Sequence, residues 1–118
     1  MRKSVPVTVV ETSEFIAATR KIMSEAERAL LVDYLAHNPM AGDLVRGTGG
    51  VRKVRWGLEG RGKRGGARVI YFYHDDGMPL FGLTAYAKNE RADLSQQDRN
   101  DFRQLTMRLV EAFKGRQS

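Results

Sequence analysis

The residues best suited to chemistry in this chain are the lysines and arginines of one glycine-rich segment, which runs from Arg46 to Arg68. The segment holds eight of the 20 lysines and arginines but only one of the 14 acidic residues, Glu59. The formal charge of +6 is therefore concentrated here, because the rest of the chain is almost neutral. Such a concentrated positive field attracts polyanions, of which nucleic acid is the commonest in a cell.

The spacing within this segment places cations on one face of a strand. Val51 to Trp56 alternates, so that Lys53 and Arg55 share one face while Val54 and Trp56 share the other. Arg68 opens the next apolar strand. Lysine and arginine bind phosphate, and they stabilise the charge that grows on phosphoryl oxygens when a phosphate reacts. That reaction also needs a base and an acid, whose identity the residues leave open.

The remaining patterns predict the elements that position these cations. Four strands are predicted over Val5–Val10, Val51–Trp56, Ala67–Tyr73 and Leu80–Ala87. Three helices are predicted to begin at Ser13, Ser24 and Ser95, the second in a capping box with Glu27 and ending at Asn38-Pro39. The last helix has an apolar stripe formed by Phe102, Leu105, Leu109, Val110 and Phe113. The basic stretch 57–66 is predicted to be a loop.

This order predicts an α+β fold: a small antiparallel twisted sheet of about four strands, packed on an N-terminal helical hairpin and a C-terminal helix. Because the helices have to cover one sheet face, we expect the other face, with Lys53 and Arg55, to be open and polar. Strict alternation along the last strand puts Thr84 and Tyr86 on this open face, opposite Leu83.

Composition limits the class of protein. A chain of 118 residues fits one domain, 1–118. There is no cysteine, which excludes disulfides and thiol nucleophiles, and no pattern of metal ligands, so we expect neither a metal nor a cofactor. No apolar run approaches the ~20 residues of a membrane span. We expect a soluble cytoplasmic protein without a membrane partner.

Three linked runs resemble the HigB-like branch of the RelE/ParE toxins of bacterial type II toxin–antitoxin systems. They read GDLVRGTGGVRKVRW (Gly42–Trp56), GKRGGARVIYFY (Gly62–Tyr73) and LTAYAKNERADLS (Leu83–Ser95). The resemblance covers Asn38 to Leu94, and the order of elements agrees over the whole chain. It implies a ribosome-dependent, metal-independent endoribonuclease that cleaves mRNA in the ribosomal A site and so inhibits translation.

The resemblance also implies partners and site residues. The partners are the ribosome, mRNA and a cognate antitoxin, with operator DNA bound only through the antitoxin. By motif position the catalytic cations are Lys53, Arg55, Arg68 and Lys88. The residues expected to bind RNA or the ribosome are Arg52, Arg61, Lys63, Arg64 and Tyr86.

Two alternatives remain open from the residues. A ParE-type toxin has the same fold but inhibits DNA gyrase and cleaves no RNA; a phosphate-binding cluster would be unnecessary there. A non-catalytic nucleic-acid-binding module is the other, since a standard general base is missing. Single substitutions separate that module from a nuclease, because one lost phosphate contact weakens binding only gradually.

Overall fold

The structure is a computed structural model that describes residues 5–58, 62–91 and 93–117, with residues 62–65 and 116–117 described by their backbone alone. Its elements, in chain order, are β1 (Val9–Glu11), α1 (Ser13–Arg20), α2 (Glu25–His37), β2 (Asp43–Leu44), β3 (Val51–Leu58), β4 (Gly62–Phe72), β5 (Leu80–Ala87) and α3 (Gln96–Gln117). None of the described helices is both long enough and apolar enough to cross a membrane.

The strands form one sheet in the order β1-β5-β4-β3-β2. β1 runs parallel to β5, and the other neighbours are antiparallel. The predicted α+β fold is confirmed, although the sheet has one strand more than expected and is not wholly antiparallel. The predicted first strand, Val5–Val10, is wrong in its bounds, because β1 spans Val9–Glu11. The additional strand, β2, pairs Asp43 with Lys53 and Leu44 with Arg52. Two residues are too few to leave an alternating pattern in a sequence.

Helices cover both faces of the sheet, so the expectation of an open polar face is wrong. α1 and α2 pack on one face, over a core that includes Phe15, Leu31 and Tyr71. The apolar stripe of α3 packs on the opposite face, against a second core that includes Val51 and Phe72. The stripe was predicted correctly, but its periodicity specifies only that the helix is buried on one side, not which sheet face it covers.

The hairpin between β3 and β4 is longer than predicted, and the expected loop over 57–66 is wrong. β3 continues to Leu58, and β4 already begins at Gly62, which pairs with Leu58. Glycine is depleted in strands because it has no side chain to pack, but the ladder of backbone hydrogen bonds tolerates it. Only residues 59–61 separate the two strands, and they lie outside the described residues.

A bulge in β5 changes which side chains share a face. Ile70 pairs with Thr84 and the residue after Ile70 pairs with Gly82, which leaves Leu83 as an extra residue on β5. Leu83 therefore lies in the α3-side core together with Tyr86, and not opposite it as strict alternation predicted. The bulge preserves the position of Tyr86 on the face of Lys53 and Arg55.

The helix boundaries follow the predicted caps closely. The Ser24 side chain accepts a hydrogen bond from Glu27 N, and the Glu27 carboxylate accepts one from Ser24 N, which confirms the capping box. Ser95 and Asp98 form the same reciprocal pair at the start of α3. The cap of α1 is Thr12 and not Ser13, because the Thr12 hydroxyl accepts from Phe15 N.

Candidate anion-binding site

Three side chains form one row across the three central strands of the sheet. Arg55 of β3 lies opposite Arg68 of β4, and Arg68 lies opposite Tyr86 of β5. Directly opposed residues of antiparallel strands have their Cβ atoms about 4.5–5.5 Å apart, on the same face of the sheet. The Arg55–Arg68–Tyr86 row therefore aligns two guanidinium groups and a phenol on the face that α3 packs against.

Two polar groups in this row are buried and have no partner among the described residues. Arg68 is only 9% exposed, and its Nη1 atom has no hydrogen-bond partner in the described part of the chain. Tyr86 is 4% exposed, and its Oη atom is likewise buried and unpartnered. Leaving a buried charged or polar donor unsatisfied is unfavourable by several kcal/mol for a charge and about 1–3 kcal/mol for a neutral group. Two such donors side by side are suited to an anion.

Lys53 and Asp93 form the next layer of the site. Lys53 shares the face of Arg55 because it precedes Arg55 by two residues in β3. Its Nζ atom donates to Asp93 Oδ1 at 3.0 Å, and Arg99 Nη2 of α3 donates to Asp93 Oδ2 at 3.4 Å. The Asp93 carboxylate thus lies between the Lys53 and Arg99 side chains and partly neutralises their charge.

Arg91 contacts the row from the turn that follows β5. Its guanidinium carbon lies 4.9 Å from the centroid of the Tyr86 ring, within the range of a cation–π contact. Its Nη1 atom donates to Asp98 Oδ2 at 2.9 Å. Sequence reasoning missed Arg91, Asp93 and Arg99 as site residues. The signal was present, since the first two lie in the third of the runs that carry the family resemblance.

The surroundings shift two pKa values at the site. Burial raises the pKa of the Tyr86 phenol, so that the hydroxyl keeps its proton at neutral pH and remains a donor. The hydrogen bond from Lys53 lowers the pKa of the Asp93 carboxyl, and the backbone N–H of Leu94 adds to this effect. The site therefore presents a neutral phenol and an ionised carboxylate together.

The structure does not bring every predicted residue to this row. Lys88 is exposed, in the turn after β5 where its backbone N donates to Gly66 O. Arg52 lies on the opposite sheet face, where its Nη1 atom donates to Gly42 O at 2.7 Å and so ties down the chain before β2. Arg61 lies outside the described residues, as do the side chains of Lys63 and Arg64.

This arrangement suits phosphate chemistry. Two guanidinium groups and an ammonium stabilise negative charge, and a protonated phenol donates a hydrogen bond to the same anion or a proton to a leaving oxygen. Within the described parts of the chain, no group of three or more histidine, cysteine or acidic side chains is placed to hold a metal ion.

The fold and the row together define a small α+β protein that presents cations from its central strands. The RelE family, described as the RelE toxin of the RelE / RelB toxin–antitoxin system, matches residues 9–116. The chain belongs to this family, a family of toxins that each have an antitoxin as partner. The resemblance found in the sequence is confirmed at this level.

The fold is similar to that of a solved member of the same toxin class. The structure of an E. coli toxin RelE mutant in the free state superimposes with a TM-score of 0.51 at 17% sequence identity. The match covers 72% of this chain and 86% of that chain. At this identity, the similarity establishes a shared fold and leaves the chemistry to be argued from the residues.

Asp93→Asn is expected to strengthen the binding of inorganic phosphate to the protein at pH 7 by about fivefold. The substitution removes the carboxylate that occupies Lys53 and Arg99. One unit charge at about 4 Å in water contributes about 1 kcal/mol, which corresponds to about fivefold in affinity. Titration followed by nuclear magnetic resonance measures the change. Asp101→Asn, on the exposed surface of α3, changes the net charge equally and should leave the affinity unaltered.

The difference in melting temperature between Asp93→Asn and the wild type should depend on pH. Because the folded-state pKa of Asp93 is lowered, its contribution to stability is present above the unfolded value of about 3.9 and is lost as the pH falls through the folded value. Asp93→Asn should therefore unfold at a lower temperature than the wild type at pH 7, and the two melting temperatures should converge below about pH 4. A constant difference at all pH values would contradict the ion pair.

Proposed function

We propose that this toxin is a ribosome-dependent mRNA endonuclease of the HigB-like branch, acting as one domain, 1–118, in the bacterial cytoplasm. The observation that carries the proposal is that two buried atoms of neighbouring row residues, Arg68 Nη1 and Tyr86 Oη, have no hydrogen-bond partner among the described residues. A protein that only needed a positive surface would keep its cations solvated. Burying one guanidinium nitrogen without a partner is unfavourable unless an anion completes the site.

The residues divide the work of RNA cleavage as follows. The 2′-hydroxyl gives its proton to water as its oxygen bonds to the adjacent phosphorus, and charge accumulates on the phosphoryl oxygens. The bond from phosphorus to the 5′-oxygen then breaks, which leaves a 2′,3′-cyclic phosphate and a 5′-hydroxyl. Arg68 and Arg55 stabilise this charge from the row, and Lys53 adds to it once the phosphate replaces Asp93 as its partner. Tyr86, which is protonated at neutral pH, hydrogen-bonds the phosphate or protonates the leaving 5′-oxygen. Lys88 reaches the substrate from the exposed turn.

Neither the row nor Lys53 provides a strong base, which is why we propose dependence on the ribosome. Lys53 is engaged with Asp93, and the phenol of Tyr86 holds its proton. Catalysis then depends on holding the 2′-hydroxyl in line with the scissile bond. A structured A site supplies such orientation, and alignment alone contributes up to roughly 7–11 kcal/mol in well-oriented systems.

The test is cleavage of a labelled mRNA by the purified protein in the presence and absence of translating ribosomes. We expect cuts in register with codons, only when ribosomes are present. Cleavage of free RNA at the same rate would contradict the dependence on the ribosome. Intact mRNA together with inhibition of DNA gyrase supercoiling would replace the proposal with a ParE-type activity, and intact mRNA with gyrase unaffected would leave a nucleic-acid-binding module.

The proposal also concerns the antitoxin. We expect the cognate antitoxin to cover the face of Lys53, Arg55 and Arg68, or to block entry into the ribosome, and to carry the contacts with operator DNA. An antitoxin that covers this face should protect Arg55, which is exposed in the free toxin, from chemical modification.

A further inference from the structure

A cleft of about 270 Å³ lies between α1 and the end of β5, and Tyr86 of the Arg55–Arg68–Tyr86 row is among the residues that line it. One wall is a single face of α1 and its C-cap residue Lys21. Glu14, Ala17, Ala18 and Lys21 follow the helical spacing of i, i+3, i+4 and i+7. The two alanines in the middle of this face leave the space that larger side chains would fill. The opposite wall is formed by the end of β5 and the turn after it, including Tyr86, Glu90 and Arg91.

The cleft follows from the short length of β1. β1 pairs with β5 only as far as Glu11 and Gly82, after which the chain turns into α1. Among the described residues, no strand pairs with the outer edge of β5 beyond Gly82. An unpaired edge presents backbone N–H and C=O groups, which hydrogen-bond whatever lies beside them.

The charges of the cleft differ from those of the row. Its rim carries two carboxylates, Glu14 and Glu90, and two cations, Lys21 and Arg91, so that it is close to neutral. Carboxylates repel a phosphate but accept hydrogen bonds from N–H groups. The row, by contrast, offers donors to an anion. A nucleotide meets both demands, because a polar heterocycle is attached to a phosphate.

Two residues connect the cleft to the row. Tyr86 and Arg91 line the cleft, and they also contact each other across the Tyr86 ring at 4.9 Å. Tyr86, the member of the row on β5, is therefore shared between the row on the α3 side of the sheet and the cleft, whose other wall is α1. Protein sites commonly read single-stranded RNA in this way, with the base on its Watson–Crick edge and its phosphate on cations.

We propose that this cleft binds the nucleobase of the nucleotide whose phosphate lies on the row, and that Glu14 and Glu90 select a base with adjacent N–H donors, which is guanine. The biological meaning of this site rests on the proposed RNA-cleaving function. Binding of a mononucleotide, however, is a property of the protein alone. The two proposals therefore fail in different experiments.

The test is titration of the full chain, without ribosomes, with guanosine 3′-monophosphate, uridine 3′-monophosphate and inorganic phosphate. A carboxylate that accepts two hydrogen bonds discriminates bases well, so the guanosine nucleotide should bind about tenfold more tightly than the other two ligands. Ala17→Phe fills the cleft from an exposed helix position. This variant should bind guanosine 3′-monophosphate no more tightly than it binds inorganic phosphate. Ala26→Phe, at an exposed position of α2 outside the cleft, is the matched control.

Further variants separate the two halves of the site. Glu14→Gln combined with Glu90→Gln should abolish the preference for guanosine over uridine while inorganic phosphate binds as before. Equal affinity of the wild type for all three ligands would overturn the proposal, as would an Ala17→Phe protein that binds like Ala26→Phe. The expected pattern in a protein that cuts no mRNA would support the cleft and overturn the proposed nuclease.

Discussion

Arg68→Ala is expected to lower the rate of mRNA cleavage on translating ribosomes by about 10²–10³-fold, the usual loss when one preorganised donor to a developing charge is removed. Arg68 is the central member of the row, with Arg55 on one side and Tyr86 on the other. It is also the most buried cation described at the site, where its field on the phosphate is least screened by water. Single-turnover cleavage of a labelled mRNA measures the change.

Stability measurements separate a functional loss from unfolding. Arg68→Met keeps most of the side-chain volume but removes the buried charge and its unpartnered Nη1 atom. Replacing a buried charge by an apolar group of similar size is often neutral or stabilising. We therefore expect this variant to be inactive and to unfold at or above the wild-type temperature. Arg103→Ala, at an exposed site of α3, should keep full activity, and an active Arg68→Met protein would contradict the assignment.

The parts of the fold that the sequence predicted are those with a local cause. A capping box needs only Ser24 and Glu27, and its hydrogen bonds form between residues three apart. The faces of β3 follow from strict alternation between Val51 and Trp56. Long-range facts were missed because nothing local encodes them: the side of the sheet that α3 covers depends on which core its stripe meets, and the bulge at Leu83 depends on the register of β4.

The same distinction holds for the site. Lys53, Arg55 and Arg68 were predicted because they lie in one charged segment with a strand pattern. Asp93 was missed because it reaches Lys53 across 40 positions of sequence. Its contact exists only because α3 packs on the face that was expected to be open. The assignment of Arg52 to RNA binding rested on charge alone, and parity puts its side chain on the other face, where it supports the chain before β2.

Phe15→Ala is expected to lower the free energy of unfolding by about 3–5 kcal/mol, the usual effect of removing a buried phenylalanine from a close-packed core. Phe15 is fully buried, and its ring lies flat against the backbone of β5: a Cβ atom at Gly82 would come within 2.9 Å of it. Only glycine permits this approach. Without the ring, α1 would lose the contact that holds it on the sheet, and with it the cleft wall that carries Glu14.

Denaturant unfolding of Phe15→Ala measures the loss, which corresponds to a fall in melting temperature of roughly 10–20 °C for a domain of this size. Leu30→Ala is the control, because Leu30 is 65% exposed on α2 and its truncation should change the free energy by no more than about 0.5 kcal/mol. Phe15→Leu should lose less than Phe15→Ala, since leucine fills part of the space over Gly82. If the Phe15 ring holds α1 on the sheet, the cavity left by Phe15→Ala has to lower the free energy of unfolding. A Phe15→Ala protein as stable as Leu30→Ala would therefore show that α1 does not depend on this contact.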